Sequence, residues 1–223
     1  MLTWQISGGL LLYFFIRSNA LIGFSLPDNC LPSSKDPQMV SEQLRNLTEC
    51  TKEAIDTWDR RNVALVLSSA KRLMDLLENK QRAACNNIIP AQCDVPIPPS
   101  AGGLVCVTIS NIRYCKPMCN RGYDFDFIRR SRIYEQCGEH TEYKWTTQYI
   151  GGQKLAICSK SSFPVAGAPS AYFPENEECQ QVLQNQDLEK TIIDNFLKEL
   201  KENGINGNHK MGYDCLICGS LPV

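Results

Sequence analysis

Cys93-Asp94-Val95-Pro96-Ile97-Pro98-Pro99 opens a stretch that continues through Gly102-Gly103-Leu104-Val105-Cys106 and Tyr114-Cys115-Lys116-Pro117-Met118-Cys119-Asn120-Arg121-Gly122-Tyr123. Cys137-Gly138, Trp145 and Cys158 close it. Six cysteines, early prolines and no helical periodicity describe a small β module stapled by disulfides. Pro96, Pro98 and Pro99 impose an extended entry, because each ring fixes φ and removes a backbone donor. Leu104 to Ile112 alternates, with Val105, Val107 and Ile109 on one side and Cys106, Thr108 and Ser110 on the other. Ser110-Asn111 is a turn signal, so Cys106 and Cys115 can face each other across a hairpin. Tyr143 to Tyr149 and Leu155 to Ile157 are further strand candidates, separated by a turn at Gly151-Gly152.

The flanks read differently. Upstream, Asp36-Pro37 is a helix start: a carboxylate to accept from free N–H groups, then proline at the first helical position. Met39, Val40, Leu44, Leu47, Cys50, Ala54, Ile55 and Trp58 recur at three- and four-residue spacing, which predicts a helix of about 24 residues. Val63, Val66, Leu67, Ala70, Leu73, Met74 and Leu77 carry a second stripe through Arg82. The break at Asp59-Arg60-Arg61-Asn62 is short, so either one long helix runs through or the two form an antiparallel hairpin within 26–92; the hairpin is favoured because a small domain must bury both stripes. Downstream, 159–174 reads as a Pro- and Gly-punctuated linker. In 175–223, Leu188, Ile192, Ile193, Phe196, Leu197 and Leu200 predict a third helix, ended by Asn203-Gly204. A Gly-rich tail follows, fixed by Cys215 and Cys218.

The chain has 223 residues, 43% of them hydrophobic, so it can bury a core. Lys+Arg number 23 against 24 Asp+Glu, a balance that argues against a nucleic-acid binder, which needs a basic footprint. Twelve cysteines accompany only two histidines. That even count, without repeated metal-ligand pairs, fits disulfides of the secretory pathway. Gly8 to Ile16 is an apolar run too short to span a bilayer, which takes roughly 20 residues. Ser18-Asn19-Ala20 then places small residues where a signal peptidase reads them, so 1–25 is expected to be a signal peptide, although the first seven residues lack the usual positive charge. No later segment is apolar enough to span a membrane.

No catalytic constellation emerges. Cys215-Leu216-Ile217-Cys218 has the spacing of a redox dithiol, but in a Gly-rich tail it reads as structural, with a different partner for each cysteine. His140 and His209 lie in polar contexts and no nucleophile signature accompanies them. No metal or other cofactor is expected, since disulfides leave too few ligands for zinc. The main candidate for binding is Arg129-Arg130-Ser131-Arg132, beside aromatics, with Arg121 and Lys116 near in sequence. From Cys93 to Cys158 eight Lys/Arg stand against six Asp/Glu, a net of +2. Guanidinium forks suit sulfates and carboxylates, so these five residues are candidates for binding an acidic glycan or an acidic protein surface. Asn46-Leu47-Thr48 is an N-glycosylation pattern, with Asn46 off the apolar stripe.

The Cys93–Cys158 stretch resembles a sushi (complement control protein) module. Cys93 with its Pro-rich follower resembles the first cysteine, Cys119-Asn120-Arg121-Gly122-Tyr123 the second, Cys137-Gly138 the third, Trp145 the tryptophan and Cys158 the fourth. The resemblance implies Cys93–Cys137 and Cys119–Cys158 on a small β-sandwich. Cys106 and Cys115 are extra to the family pattern, and the gaps from Cys119 to Cys137 and from Trp145 to Cys158 are long. If the module pairs its own six cysteines, three remain on each side: Cys30, Cys50 and Cys85 before it, Cys179, Cys215 and Cys218 after it. Three is odd, so full oxidation within one chain requires at least one bridge between the flanks. The expected fold class is therefore α+β: a small disulfide-stapled β module inserted between helical, cysteine-linked flanks, with the C-terminal helix and tail packing on the N-terminal helices. The resemblance implies a secreted, non-enzymatic role in extracellular recognition, such as adhesion, matrix or egg-coat assembly, or defence. Its partner would be an extracellular protein or acidic glycan. Two other readings stay open: a secreted effector (toxin, hormone-like factor or inhibitor), and a lipid carrier using the amphipathic helices.

Overall fold

A computed structural model describes residues 35–147 and 152–220. The signal-peptide reading, Cys30 and the Gly151 half of the expected turn lie outside them. The chain divides into two compact units, the first ending at Val63 and the second beginning at Ala64.

In the first unit, α1 spans Pro37–Ala54. Its cap is the expected one: Gln38 N donates to Asp36 Oδ1 at 2.9 Å, ahead of Pro37. The helix tightens into a 3-10 turn over Ile55–Thr57, and Trp58 is extended at φ −85°, ψ 138°. Asp59 then opens α2, Arg60–Ala83, its carboxylate accepting from Asn62 N at 2.8 Å.

No residue of α1 or α2 is buried. Leu47 is 62% exposed, Leu67 64% and Leu77 55%. This corrects the expectation that a hairpin buries both stripes. Helical spacing requires only that the apolar residues share a face; burial needs a facing surface, which local spacing does not supply.

The second unit is built on a four-stranded sheet in the order β4-β2-β1-β6. β1 (Gly102–Ile109) and β2 (Ile112–Cys119) form the predicted antiparallel hairpin, with Cys106 opposite Cys115. Ser110 and Asn111 both take positive φ (47° and 64°), as a two-residue hairpin loop demands. β4 (Glu135–Cys137) pairs with β2, and the C-terminal tail supplies β6 (Cys215–Cys218), which pairs with β1. A second, two-stranded sheet joins β3 (Tyr123–Phe125) to β5 (Cys158–Lys160). Among the described residues, the strand after Trp145 is thus β5; Glu142 and Tyr143 instead form a turn with φ of 53° and 57°.

The alternation in β1 is buried on both faces. Val105, Val107 and Ile109 pack with Leu216 of β6 and with Ile192, Phe196 and Leu200 of α4 (Gln186–Glu202). On the other face Leu104 and Cys106 lie among Cys85, Cys93, Cys115, Cys137, Cys215, Trp145 and Leu155. The C-terminal helix packs on the sheet and the tail becomes an edge strand, while the end of α2 reaches the same C-terminal region through Gln81, which donates to Gln180 Oε1 at 2.9 Å and accepts from Cys218 N at 3.2 Å. Gly103 permits this closure: a Cβ there would meet Cys179 Sγ at 2.4 Å and the Ile217 carbonyl oxygen at 2.7 Å. A short helix, α3 (Cys179–Gln184), which sequence reading omits, precedes α4.

Five disulfides staple this unit. Cys93 bonds Cys137 and Cys119 bonds Cys158, the pairs that the sushi resemblance implies, and Cys106 bonds Cys115. Cys85 bonds Cys215, a flank-to-flank bridge of the kind that parity requires, and Cys179 bonds Cys218. Cys215 and Cys218 thus have different partners and form no dithiol. Cys50 has no disulfide partner among the described residues and its thiol is exposed on α1; Cys30, the remaining flank cysteine, lies outside them.

The 159–174 segment is not the loosely packed linker expected. It contains β5 residues and a 3-10 turn at Pro169–Ala171, and it buries Ala166, Ala171, Tyr172 and Phe173. Asp124 holds it in place. Its carboxylate accepts from Phe125 N (2.8 Å), Val165 N (2.8 Å), Ala166 N (3.0 Å) and the Tyr172 hydroxyl. Burial alone would raise the Asp124 carboxyl, but the hydrogen bonds from Tyr172, Val165, Ala166 and Phe125 outweigh it and leave the pKa below the ordinary 3.8. Burial and the Asp124 hydrogen bond push the Tyr172 phenol up to about 12, so it stays a donor across neutral pH. A depressed carboxylate contributes stability above its unfolded pKa, and that contribution is lost as pH falls through the lower folded value. Asp124→Asn is expected to lower stability by about 1–3 kcal/mol at neutral pH, and by less at pH values below the folded pKa. Urea unfolding of both proteins at pH 7 and near pH 2.5 checks it; an equal difference at both would show that the charge plays no part.

Candidate functional site

The arginine cluster does not form the solvent-facing anion site that its spacing suggests. Arg129 is 3% exposed and Glu135 fully buried. Arg129 Nη2 meets Glu135 Oε1 at 2.8 Å, while Arg132 Nη2 meets Glu135 Oε2 at 2.9 Å. The Thr146 hydroxyl donates to Oε2 at 3.1 Å. Burial pushes the Glu135 carboxyl above its ordinary value, against the opposing pull of Arg129 and Arg132. Lys116, also expected at a binding surface, is buried at 2.6 Å from Glu199 of α4 and stands over the Phe196 ring. Burial lowers its pKa, with Glu199 opposing. These side chains fasten the fold, because a buried cation is tolerated only beside a carboxylate. Of the five candidates, Arg121 and Arg130 are exposed. Arg121 Nε donates to the Phe173 carbonyl at 3.1 Å and Arg130 Nε to the Val165 carbonyl at 2.8 Å.

The histidines divide. His140 is exposed, and His209 Nε2 lies 2.9 Å from both oxygens of Asp214. That pair pins the turn leading into β6, where buried Arg113 also donates to the Tyr213 carbonyl and to Thr108 Oγ1 at 3.1 Å. Burial lowers the Arg113 pKa to about 10, with Asp214 opposing. Among the described residues no cluster of three or more His, Cys, Asp or Glu could hold a metal ion, and no helix is long and apolar enough to cross a membrane. Asn46 lies on the exposed surface of α1, where a glycan would have room.

The feature with the shape of a ligand site lies elsewhere. The Pro-rich entry segment approaches the segment after Trp145: Ile97 N donates to the Gln153 carbonyl at 2.8 Å, and Ile97 pairs with Lys154 in a parallel bridge. Trp145 Nε1 donates to the Asp94 carbonyl at 2.9 Å, locking the indole beneath the entry segment. The result is a cleft of about 590 Å³. Ile97, Tyr143 and the edge of Trp145 give it an apolar lining, and Asp94, Lys144 and Lys154 bring charge to it. Lys144 is 3.2 Å from Glu142, an exposed pair worth at most about 1 kcal/mol and easily exchanged for another anion. Concave apolar surface with a few polar groups is the usual form of a binding site. Sequence reading singled out only Trp145 here. Ile97 and Lys154 come together through a backbone bridge between two irregular segments, and neither segment carries a periodicity that would announce it.

Scans against protein-family models, curated proteins and solved structures find no match to this chain.

Proposed function

We propose that this chain is a secreted, non-enzymatic recognition protein that binds an extracellular protein or acidic glycan through a sushi-like module. Five disulfides suit a secreted or extracellular protein. The first-to-third and second-to-fourth pairing of Cys93, Cys119, Cys137 and Cys158 supports the sushi-like reading. The observation that carries the binding role is the cleft between Ile97 and Tyr143, with Lys144 and Lys154 beside it. An aromatic ring offers area for an apolar group or sugar face at small entropic cost, and the ammonium groups select for acidity. With Arg129 and Lys116 buried in ion pairs, acidic selectivity falls to the cleft lysines in place of the arginine run.

The test is a binding screen of immobilised full-length protein against extracellular proteins and acidic glycans. Tyr143→Ala and the double variant Lys144→Glu/Lys154→Glu should each weaken a hit about tenfold or more. The unfolding midpoint of the lysine variant should stay within error, whereas Tyr143→Ala also loses packing against the core beneath the cleft. Unchanged affinity in both variants would remove the cleft from the reading.

A second reading, a secreted effector released by processing, draws support from one observation: Arg60-Arg61 stands exposed at the start of α2.

A further inference from the structure

We infer that the bond between Arg61 and Asn62 is a processing site for a serine endoprotease of the paired-basic class, which releases the N-terminal segment from the disulfide-bonded body. The inference deepens the effector reading and rests on it. Such a protease holds its substrate extended and places two consecutive guanidinium or ammonium groups in acidic pockets. Water then adds across the scissile amide, leaving a carboxylate on Arg61 and an amine on Asn62. The chain has three paired-basic dipeptides, Arg60-Arg61, Lys71-Arg72 and Arg129-Arg130. Their sequences look alike to such an enzyme, and the fold separates them.

Arg129 is buried against Glu135, and the Arg130 guanidinium is tied to the Val165 carbonyl, so reaching that pair requires opening the body of the second unit. Lys71-Arg72 is exposed but lies well inside α2, with helix on both sides, and Lys71 also meets Asp75 at 3.3 Å. An extended conformation there means breaking helical hydrogen bonds in both directions.

Arg60 and Arg61 are exposed, and neither has an ion pair or side-chain hydrogen bond among the described residues. They are the first two residues of α2, where backbone N–H groups have no intrahelical partner. The residues before them already leave the helix: Trp58 is extended, and Asp59 holds the first turn by its bonds to Asn62 N (2.8 Å) and Val63 N (3.1 Å). Fraying one terminal turn lets 58–62 become continuously extended; it costs the Asp59 cap, far less than opening α2 in its middle.

The disulfides decide what a cut accomplishes. All five join residues from Cys85 to Cys218. Cys30 and Cys50 both precede Arg61. Cleavage at Arg61 therefore leaves the stapled body whole and separates the preceding segment without any reductant. A cut at Arg129-Arg130 would leave both pieces covalently joined.

Purified, oxidised full-length protein is incubated with a paired-basic endoprotease and followed by intact mass without reductant. The expected first products end at Arg61 and begin at Asn62, appearing about a hundredfold faster than any cut at Arg72 or Arg130. The variant Arg60→Gln/Arg61→Gln should abolish them while leaving the unfolding midpoint unchanged. Protein harvested from the medium of cells that carry such proteases should begin at Asn62. A first cut at Arg72 or Arg130, no cut at all, or an intact Arg61–Asn62 bond in the medium would overturn the inference. Absence of the chain from the medium would instead strike the secretory reading, with cleavage of the purified protein still deciding this one.

Discussion

Replacing Glu135 with alanine should lower stability by about 3–5 kcal/mol, the largest effect expected of any single side chain here. Glu135 is fully buried in β4, and its two oxygens hold Arg129 and Arg132 at 2.8 and 2.9 Å. Arg129 sits over the Phe125 ring, so after truncation its charge has neither water nor a carboxylate. The effect comes from that stranded charge more than from the strength of the pair. Burial already pushes the Glu135 carboxyl upward, a sign that the ionised form is held at a desolvation penalty. Removing both charges should accordingly be gentler than removing one. Glu135→Leu/Arg129→Met is expected to recover about half or more of the loss. Urea midpoints of the single and double variants test this. A double variant as unstable as the sum of its parts would show that the two side chains act independently. The same geometry predicts how charge reversal at Arg129 reads: it unfolds the protein, so any accompanying loss of glycan retention says nothing about a binding surface.

Cys85→Ser/Cys215→Ser should lower stability by about 4 kcal/mol, beyond what removal of Cys106–Cys115 does. The two bridges have similar covalent chemistry and very different loops. Cys85–Cys215 closes a separation of 130 residues and Cys106–Cys115 one of 9. In the chain-entropy account the longer loop restrains the unfolded state more. Cys93–Cys137 and Cys179–Cys218 already shorten that loop, trimming the larger figure from about 5 to about 4 kcal/mol, against about 2.6 kcal/mol for the hairpin bridge. Without Cys85–Cys215, β6 is held by its pairing with β1, the packing of Leu216 and Ile217 and its Cys218 tether, with no covalent link left to the N-terminal side of the sheet. Amide exchange at Leu216 and Ile217 should speed up before exchange in the β1–β2 hairpin does. A stability loss below about 1 kcal/mol, or equal losses for the two bridges, would count against the loop-length account.

Much of the local structure was legible in the chain. Asp36-Pro37 announced the start of α1, because the cap and the fixed proline φ act within one turn. Ser110-Asn111 announced the β1–β2 turn, and the two-residue loop placed Cys106 opposite Cys115. The apolar residues from Leu188 to Leu200 marked α4, and counting cysteines on either side of the module called for a bridge between the flanks, which Cys85–Cys215 supplies. Each of these depends on neighbours close in sequence, or on parity alone.

Tertiary structure decided the rest. The stripes of α1, α2 and α4 have the same spacing, yet only α4 finds the sheet; periodicity says which residues share a face and nothing about what covers it. Lys116 reads as a surface charge until Glu199, 83 residues away, is folded over it. Arg129 reads as part of a basic run until Glu135 is drawn beneath it on β4. Ile97 and Lys154 carry no signal of a cleft until their backbones meet. Whether a charge faces solvent or a buried partner, and whether an apolar face is core or surface, is a property of contacts between distant residues. A local pattern has the same form in either case.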